Sequence, residues 1–229
     1  MQLHVKKIDN ASILGHRSLL ANVDGEATGN AVGAAVTLEE PDWDVPESVE
    51  SVIEILINGM QDKDTIVRWS SSKGIGRITQ RLPKDLGQDI VNSIVDLFSI
   101  NTFINSRMDM DISNCSDQTW HGACLALAEL ARRGLMLPDK LPEVIMWVQK
   151  ALKFDQRRGS NSVGSHVRDA ACYVCWSFAR AYAPEIMKPF VEQLSSTLVI
   201  ASLFDREINV RRAASAAFQE NVGRQVGPI

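Results

Sequence analysis

In the stretch DAACYVCWSFARAY (169–182), Cys172 and Cys175 are separated by two residues, the C-x-x-C spacing of redox dithiols and of half a zinc site. A redox dithiol sits at a helix N-terminus after a strand, where the dipole lowers the pKa of the first thiol. Here no strand-like segment precedes the pair, and helical periodicity places it about two turns inside a helix. A zinc ion would need two further ligands, and His121 with Cys124, three residues apart on one helix, could supply them. All of these positions fall where a repeating pattern asks for small or anchor residues, so the cysteines read as core thiols and no metal ligand is expected.

Other chemical patterns are incomplete. Gly159 and Gly164 in GSNSVGSH have the glycine spacing of a phosphate loop, but Ser165 and His166 stand where the phosphate-binding lysine belongs. The segment reads as a flexible inter-helix loop. Ser70 and Lys73 match S-x-x-K without the companion motifs of that chemistry. His4, His16, His121 and His166 form no H-E-x-x-H, and no carboxylate pair shares an apolar face. The expectation is a chain without catalytic residues, cofactor or metal.

The elements that carry these residues are helical throughout. Val49, Val52, Ile53, Leu56, Ile57 and Met60 recur at helical spacing behind Pro46 and Glu47, which suit a first helical turn. Further apolar stripes follow Pro83, run from Val144 to Leu152, and follow Pro184. Four segments richer in small residues alternate with these stripes. They align on Arg68, His121, Arg168 and Arg211, each preceded by Val67, Trp120, Val167 or Val210. Small residues follow two and three places on, and Asp64, Asp117, Gly164 and Glu207 stand four places before, an acid-to-arginine pattern expected to tie one turn to the next. The anchors are 53, 47 and 43 residues apart, the first interval lengthened by the polar loop 101–116.

Two helices at a period in the forties is the signature of a HEAT-type repeat, whose helix pairs bury their apolar faces only by stacking on neighbours. The fold class is therefore an all-α, HEAT/armadillo-type α-solenoid of about four helix pairs, at roughly 46–81, 84–133, 139–182 and 185–224 within a repeat region 46–225. Residues 1–20 read as the remnant of a preceding helical repeat and 21–45 as an acidic flexible linker. Solenoids end in polar capping repeats, whereas the last helix is as Ala-rich as an internal one, so the chain reads as an internal slice of a longer solenoid.

Charge narrows the partners. The chain carries −4, with ten acidic and three basic residues in 1–61 and a mildly basic remainder. No basic stripe meets the needs of nucleic acid, and no apolar run is long enough for a membrane span. Four cysteines make no disulfide framework, which fits a reducing, cytoplasmic compartment. Arg157 and Arg158 in one inter-helix loop, and Arg206 and Arg212 (with Arg211) in the next, each follow Phe-Asp. Equivalent loops of a solenoid line up along one edge, so Arg157, Arg158, Arg206 and Arg212 are candidate protein-binding residues. The plainer alternative is a solvated edge with ion pairs inside each repeat.

The strings DKDTIVRWSSSKGIGRITQRLP, TWHGACLALAELARRGLMLP, GSHVRDAACYVCWSFARAYAP and FDREINVRRAASAAFQENVGRQ closely resemble the central region of the tubulin-folding cofactor D family. GHRSL and DVPESVESVIE resemble its adjoining segment, so the likeness covers about residues 15–225. The resemblance implies a scaffold that captures β-tubulin and supports assembly of the α/β-tubulin heterodimer with cofactors C and E and an Arf-like small GTPase. It implies a helper of GTP hydrolysis by tubulin with no active site of its own, in the cytoplasm and associated with the microtubule cytoskeleton. Docking of an Arf-like GTPase or another protein, without tubulin binding, is the alternative. A different HEAT scaffold such as a transport receptor would explain the repeats but not the long strings.

Overall fold

The computed structural model describes residues 45–100, 102–104 and 110–225. The chain divides into two compact units between Ser51 and Val52. Of the first unit the described residues are 45–51, so the expected helical remnant at 1–20 and nearly all of the expected linker lie outside the described residues.

Eight helices occur among the described residues, in four consecutive pairs: α1 (Glu47–Gly59) and α2 (Thr65–Thr79), α3 (Lys84–Ser99) and α4 (Asp117–Arg132), α5 (Leu141–Leu152) and α6 (Ser165–Ala181), α7 (Pro184–Phe204) and α8 (Ile208–Gln225). Local chemistry sets their starts. Asp64 accepts a hydrogen bond from the Ile66 backbone N–H at 2.7 Å ahead of α2, and the Ser116 hydroxyl accepts from Thr119 N–H at 3.2 Å ahead of α4. Pro184 opens α7, where its missing N–H leaves no helical bond unmade.

The second helices of successive pairs pack on one another, α2 on α4, α4 on α6 and α6 on α8, while α5 and α7 also touch. This is the stacked arrangement of an all-α repeat scaffold, in which each pair completes its neighbour's core. α4 is the most enclosed helix, with every residue from Thr119 to Ala131 buried. Its small residues permit that closeness: a Cβ on Gly122 would lie 1.9 Å from the Met60 carbonyl oxygen. The expected stripe on α3 is buried from Leu86 to Phe98, whereas Val52 of the α1 stripe is exposed. Phe98, Trp120, Trp147 and Phe154 form an aromatic cluster joining α3, α4 and α5, with Phe98 edge-on to Trp120 at 5.2 Å and Trp120 5.0 Å from Phe154.

Two inter-helix connections contain short strands that the sequence does not indicate. The α3–α4 connection contains a short antiparallel pair, β1 (Phe103–Ile104) with β2 (Met110–Asp111). The α5–α6 connection, expected as a flexible loop, is a hairpin of β3 (Gln156–Arg158) and β4 (Asn161–Val163). Gly159 turns the hairpin at φ +62°, and Gly164 joins it to α6 at φ +134°, where a Cβ would press on the Phe154 carbonyl at 2.5 Å. The two glycines of the apparent phosphate loop thus serve two tight backbone turns.

Candidate protein-binding edge

The turns between the helices of each pair form a row, and the anchor residues hold it. Arg68 on α2 donates from Nη1 to the carbonyls of Asp62 and Lys63, at 2.6 and 2.9 Å, which fastens the turn before its own helix. Arg211 on α8 repeats the arrangement on the carbonyls of Asp205 and Arg206, at 2.6 and 3.1 Å. Arg168 donates to the Phe154 carbonyl at 2.8 Å, across the inserted hairpin. Each of these guanidiniums therefore satisfies carbonyls left bare where the chain reverses.

Two anchors also reach the next pair. Arg68 Nε donates to His121 Nδ1 at 2.8 Å, so the buried imidazole accepts there and carries its proton on Nε2. Burial, and after it the neighbouring Arg68 guanidinium and His166 ring, lowers the His121 pKa to about 3. Arg168 grips Asp205 with both arms of its fork, Nε to Oδ2 at 2.6 Å and Nη2 to Oδ1 at 3.0 Å. Both side chains of this pair are only 7% exposed. Burial alone would raise the Asp205 pKa, but the Arg168 fork and the Glu207 N–H outweigh it and hold the carboxyl below its ordinary range.

The acid-to-arginine pattern was expected to tie one turn to the next, and the side chains that do so are not an anchor and the acid four places before it. Asp64 caps α2 and Asp117 pairs with Arg158, while the acid that meets an anchor side chain is Asp205, in the following turn. A carboxylate four residues ahead of its anchor lies at the start of the same helix, where capping the free N–H groups is its nearest use.

The four predicted arginines all lie on or beside this row, in two kinds of environment. Arg158 on β3 pairs with Asp117 of the preceding pair at 2.9 Å, and Arg206 pairs with Asp155 of the preceding turn. These ion pairs cross from one repeat to the next rather than staying within a repeat. Arg157 is exposed on β3 with Nε donating to the Gly159 carbonyl at 3.3 Å, and Arg212 is exposed near the start of α8. Arg211 faces inward, onto the turn carbonyls. Sequence reasoning missed Gln156, whose buried amide donates to the Cys115 carbonyl at 2.8 Å and to that of Ile112, lacing the third turn to the second. No spacing marks a lone glutamine for such a role.

Cys115 is buried in the second turn, and the other three thiols lie away from this row. Cys172 and Cys175 face inward on α6 toward Cys124 of α4, and burial pushes all three well above the ordinary thiol range. Among the described residues, no group of three or more His, Cys, Asp or Glu side chains is arranged to hold a metal ion, and no helix is long and apolar enough to cross a membrane.

Stacked helix pairs with an ordered row of turns define an armadillo/HEAT-type repeat scaffold. Residues 12–227 match the family described as tubulin-specific chaperone D-like, ARM repeats. Tubulin-specific chaperone D of Dictyostelium discoideum is 52% identical over 171 residues, covering 74% of this chain and 11% of that protein. Tubulin-folding cofactor D of Schizosaccharomyces pombe is 37% identical over 177 residues, covering 77% and 16%. A solved engineered protein overlays with a TM-score of 0.43 at 16% identity, covering 74% of this chain and 62% of that one. The chain belongs to the tubulin-specific chaperone D-like family, and it spans 11% and 16% of the length of these two relatives.

Proposed function

We propose that this chain is a tubulin-binding segment of a chaperone scaffold, which captures β-tubulin and supports assembly of the α/β-tubulin heterodimer. Its surroundings would be a complex with cofactors C and E and an Arf-like small GTPase that stimulates GTP hydrolysis by tubulin. The observation that carries this reading is the match to the chaperone D-like family over residues 12–227, with 52% identity to a relative named for tubulin. A scaffold role suits the geometry, since rigid stacked pairs offer extended surfaces for another protein.

The contact on this chain is assigned to the turn row, with Arg157, Arg158, Arg206 and Arg212 presented to the partner. Because Arg158 and Arg206 also hold neighbouring turns together, Arg157 and Arg212 give the cleaner test. Size-exclusion chromatography of the 229-residue chain with β-tubulin is expected to show co-elution, lost in an Arg157→Glu/Arg212→Glu variant that keeps its thermal midpoint. Co-elution unchanged in that variant would remove the arginine row from the reading. Absence of co-elution by the unaltered chain would remove tubulin binding from this segment.

A further inference from the structure

A second surface lies on the faces of the second helices rather than on the turns. Trp69 of α2 and Tyr173 of α6 meet at 5.9 Å between ring centroids, and Tyr173 stacks with Trp176 at 5.9 Å. All three rings are half-buried. A cation lies over each end of this aromatic strip: Lys73 Nζ is 5.3 Å from the Trp69 centroid, and the Arg180 guanidinium is 4.7 Å from that of Trp176. Beneath the strip, Glu129 of α4 is 1% exposed and accepts hydrogen bonds from the Tyr173 hydroxyl at 3.1 Å and from Arg132 at 3.0 Å, with Arg133 at 3.4 Å. At the far end Glu220 of α8 accepts from Arg180 at 3.0 Å and from Arg224.

The strip joins α2, α4, α6 and α8. Lys73, Arg132, Arg133, Arg180 and Arg224 supply five cations against the two carboxylates Glu129 and Glu220, leaving an excess of three positive charges. A half-buried ring with a cation over it offers a flat apolar platform rimmed by positive charge. Three steps between packed helices, at about 9 Å each, give a length of roughly 27 Å, which an extended peptide of about eight residues would cover.

We propose that this aromatic–cationic strip is a docking surface for an extended acidic segment of a partner protein, with carboxylates of the segment on Lys73 and Arg180 and its apolar side chains on the Trp69–Tyr173–Trp176 rings. Charge complementarity selects the occupant. The strip's cations outnumber its carboxylates, and Arg132 and Arg180 already take carboxylates, Glu129 and Glu220, as partners. The inference goes beyond the tubulin reading and uses none of the turn-row arginines.

The test is fluorescence anisotropy of a labelled ten-residue peptide of alternating glutamate and tyrosine, titrated with the 229-residue chain at low salt. Binding is expected, with affinity falling as salt rises. A peptide with glutamine in place of glutamate is expected to bind about tenfold more weakly, and so is the acidic peptide to a Lys73→Glu/Arg180→Glu variant. Lys73→Gln/Arg180→Gln alters only exposed side chains and provides a milder version should charge reversal disturb the fold. An Arg157→Glu/Arg212→Glu chain should hold the acidic peptide as well as the unaltered one, which separates this surface from the turn row. Equal binding of the glutamine peptide, indifference to both Lys73/Arg180 variants, or tighter binding of a labelled oligo-dT than of the peptide would each overturn the proposal.

Discussion

Arg168 illustrates how one side chain can hold two repeats. Its guanidinium closes its own turn through the Phe154 carbonyl and the next turn through Asp205, with both charged groups nearly buried. Removing one member of a buried ion pair leaves the other unpaired, so Arg168→Ala is expected to destabilise the fold by about 3–5 kcal/mol in urea unfolding. Arg168→Lys should recover only part of this, because an ammonium cannot make the forked contact. His121 provides a second prediction. With its pKa lowered to about 3 in the folded protein, against an ordinary value of about 6.5, the unfolded chain binds a proton between those values that the folded one does not. Stability therefore falls as pH falls through that window, by up to about 1.4 kcal/mol per pH unit from this residue. Asp205 adds to the loss lower down, since its depressed pKa gives stability that is present above the unfolded value and disappears as pH drops through the folded one. Urea unfolding at pH 7, 6 and 5 checks this, and the slope should flatten in His121→Gln, whose amide oxygen can still accept from Arg68.

At the level of elements, the helix pairs were legible because apolar periodicity and breakers such as Pro83 and Pro184 are strong local signals. The anchors were legible as a recurring position, but the direction of their contacts was not. The acids four places before the anchors pointed to a tie between turns without naming its partners, and the acid that meets an anchor side chain lies 37 residues after Arg168, a separation set by tertiary stacking. The hairpin at 156–163 escaped notice because strands of three residues are too short to show alternation. The aromatic strip was hidden for a related reason: Trp69 and Tyr173 come together only when α2 and α6 pack on either side of α4. Close packing of α4 carries a prediction of its own. In Gly122→Ala the added methyl would fall on the Met60 backbone, so the α1–α2 turn must shift. The expected loss is about 1–3 kcal/mol, read as a lower urea midpoint. An unchanged midpoint would mean that α4 and that turn are not packed as closely as described.

For the whole molecule, the row of turns behaves as one object because consecutive turns are linked, the first to the second by Arg68–His121, the second to the third by Gln156 and Arg158, and the third to the fourth by Arg168 and Arg206. A row laced in this way holds the backbone that carries Arg157 and Arg212 in place, so binding has only their side chains to order. The central claim, that this segment binds tubulin through that row, is tested most directly by sedimentation velocity of the 229-residue chain mixed with β-tubulin, beside its Arg157→Glu/Arg212→Glu variant. A faster boundary containing both proteins, absent with the variant, is the predicted result. Two independent boundaries for chain and tubulin in every mixture would contradict it.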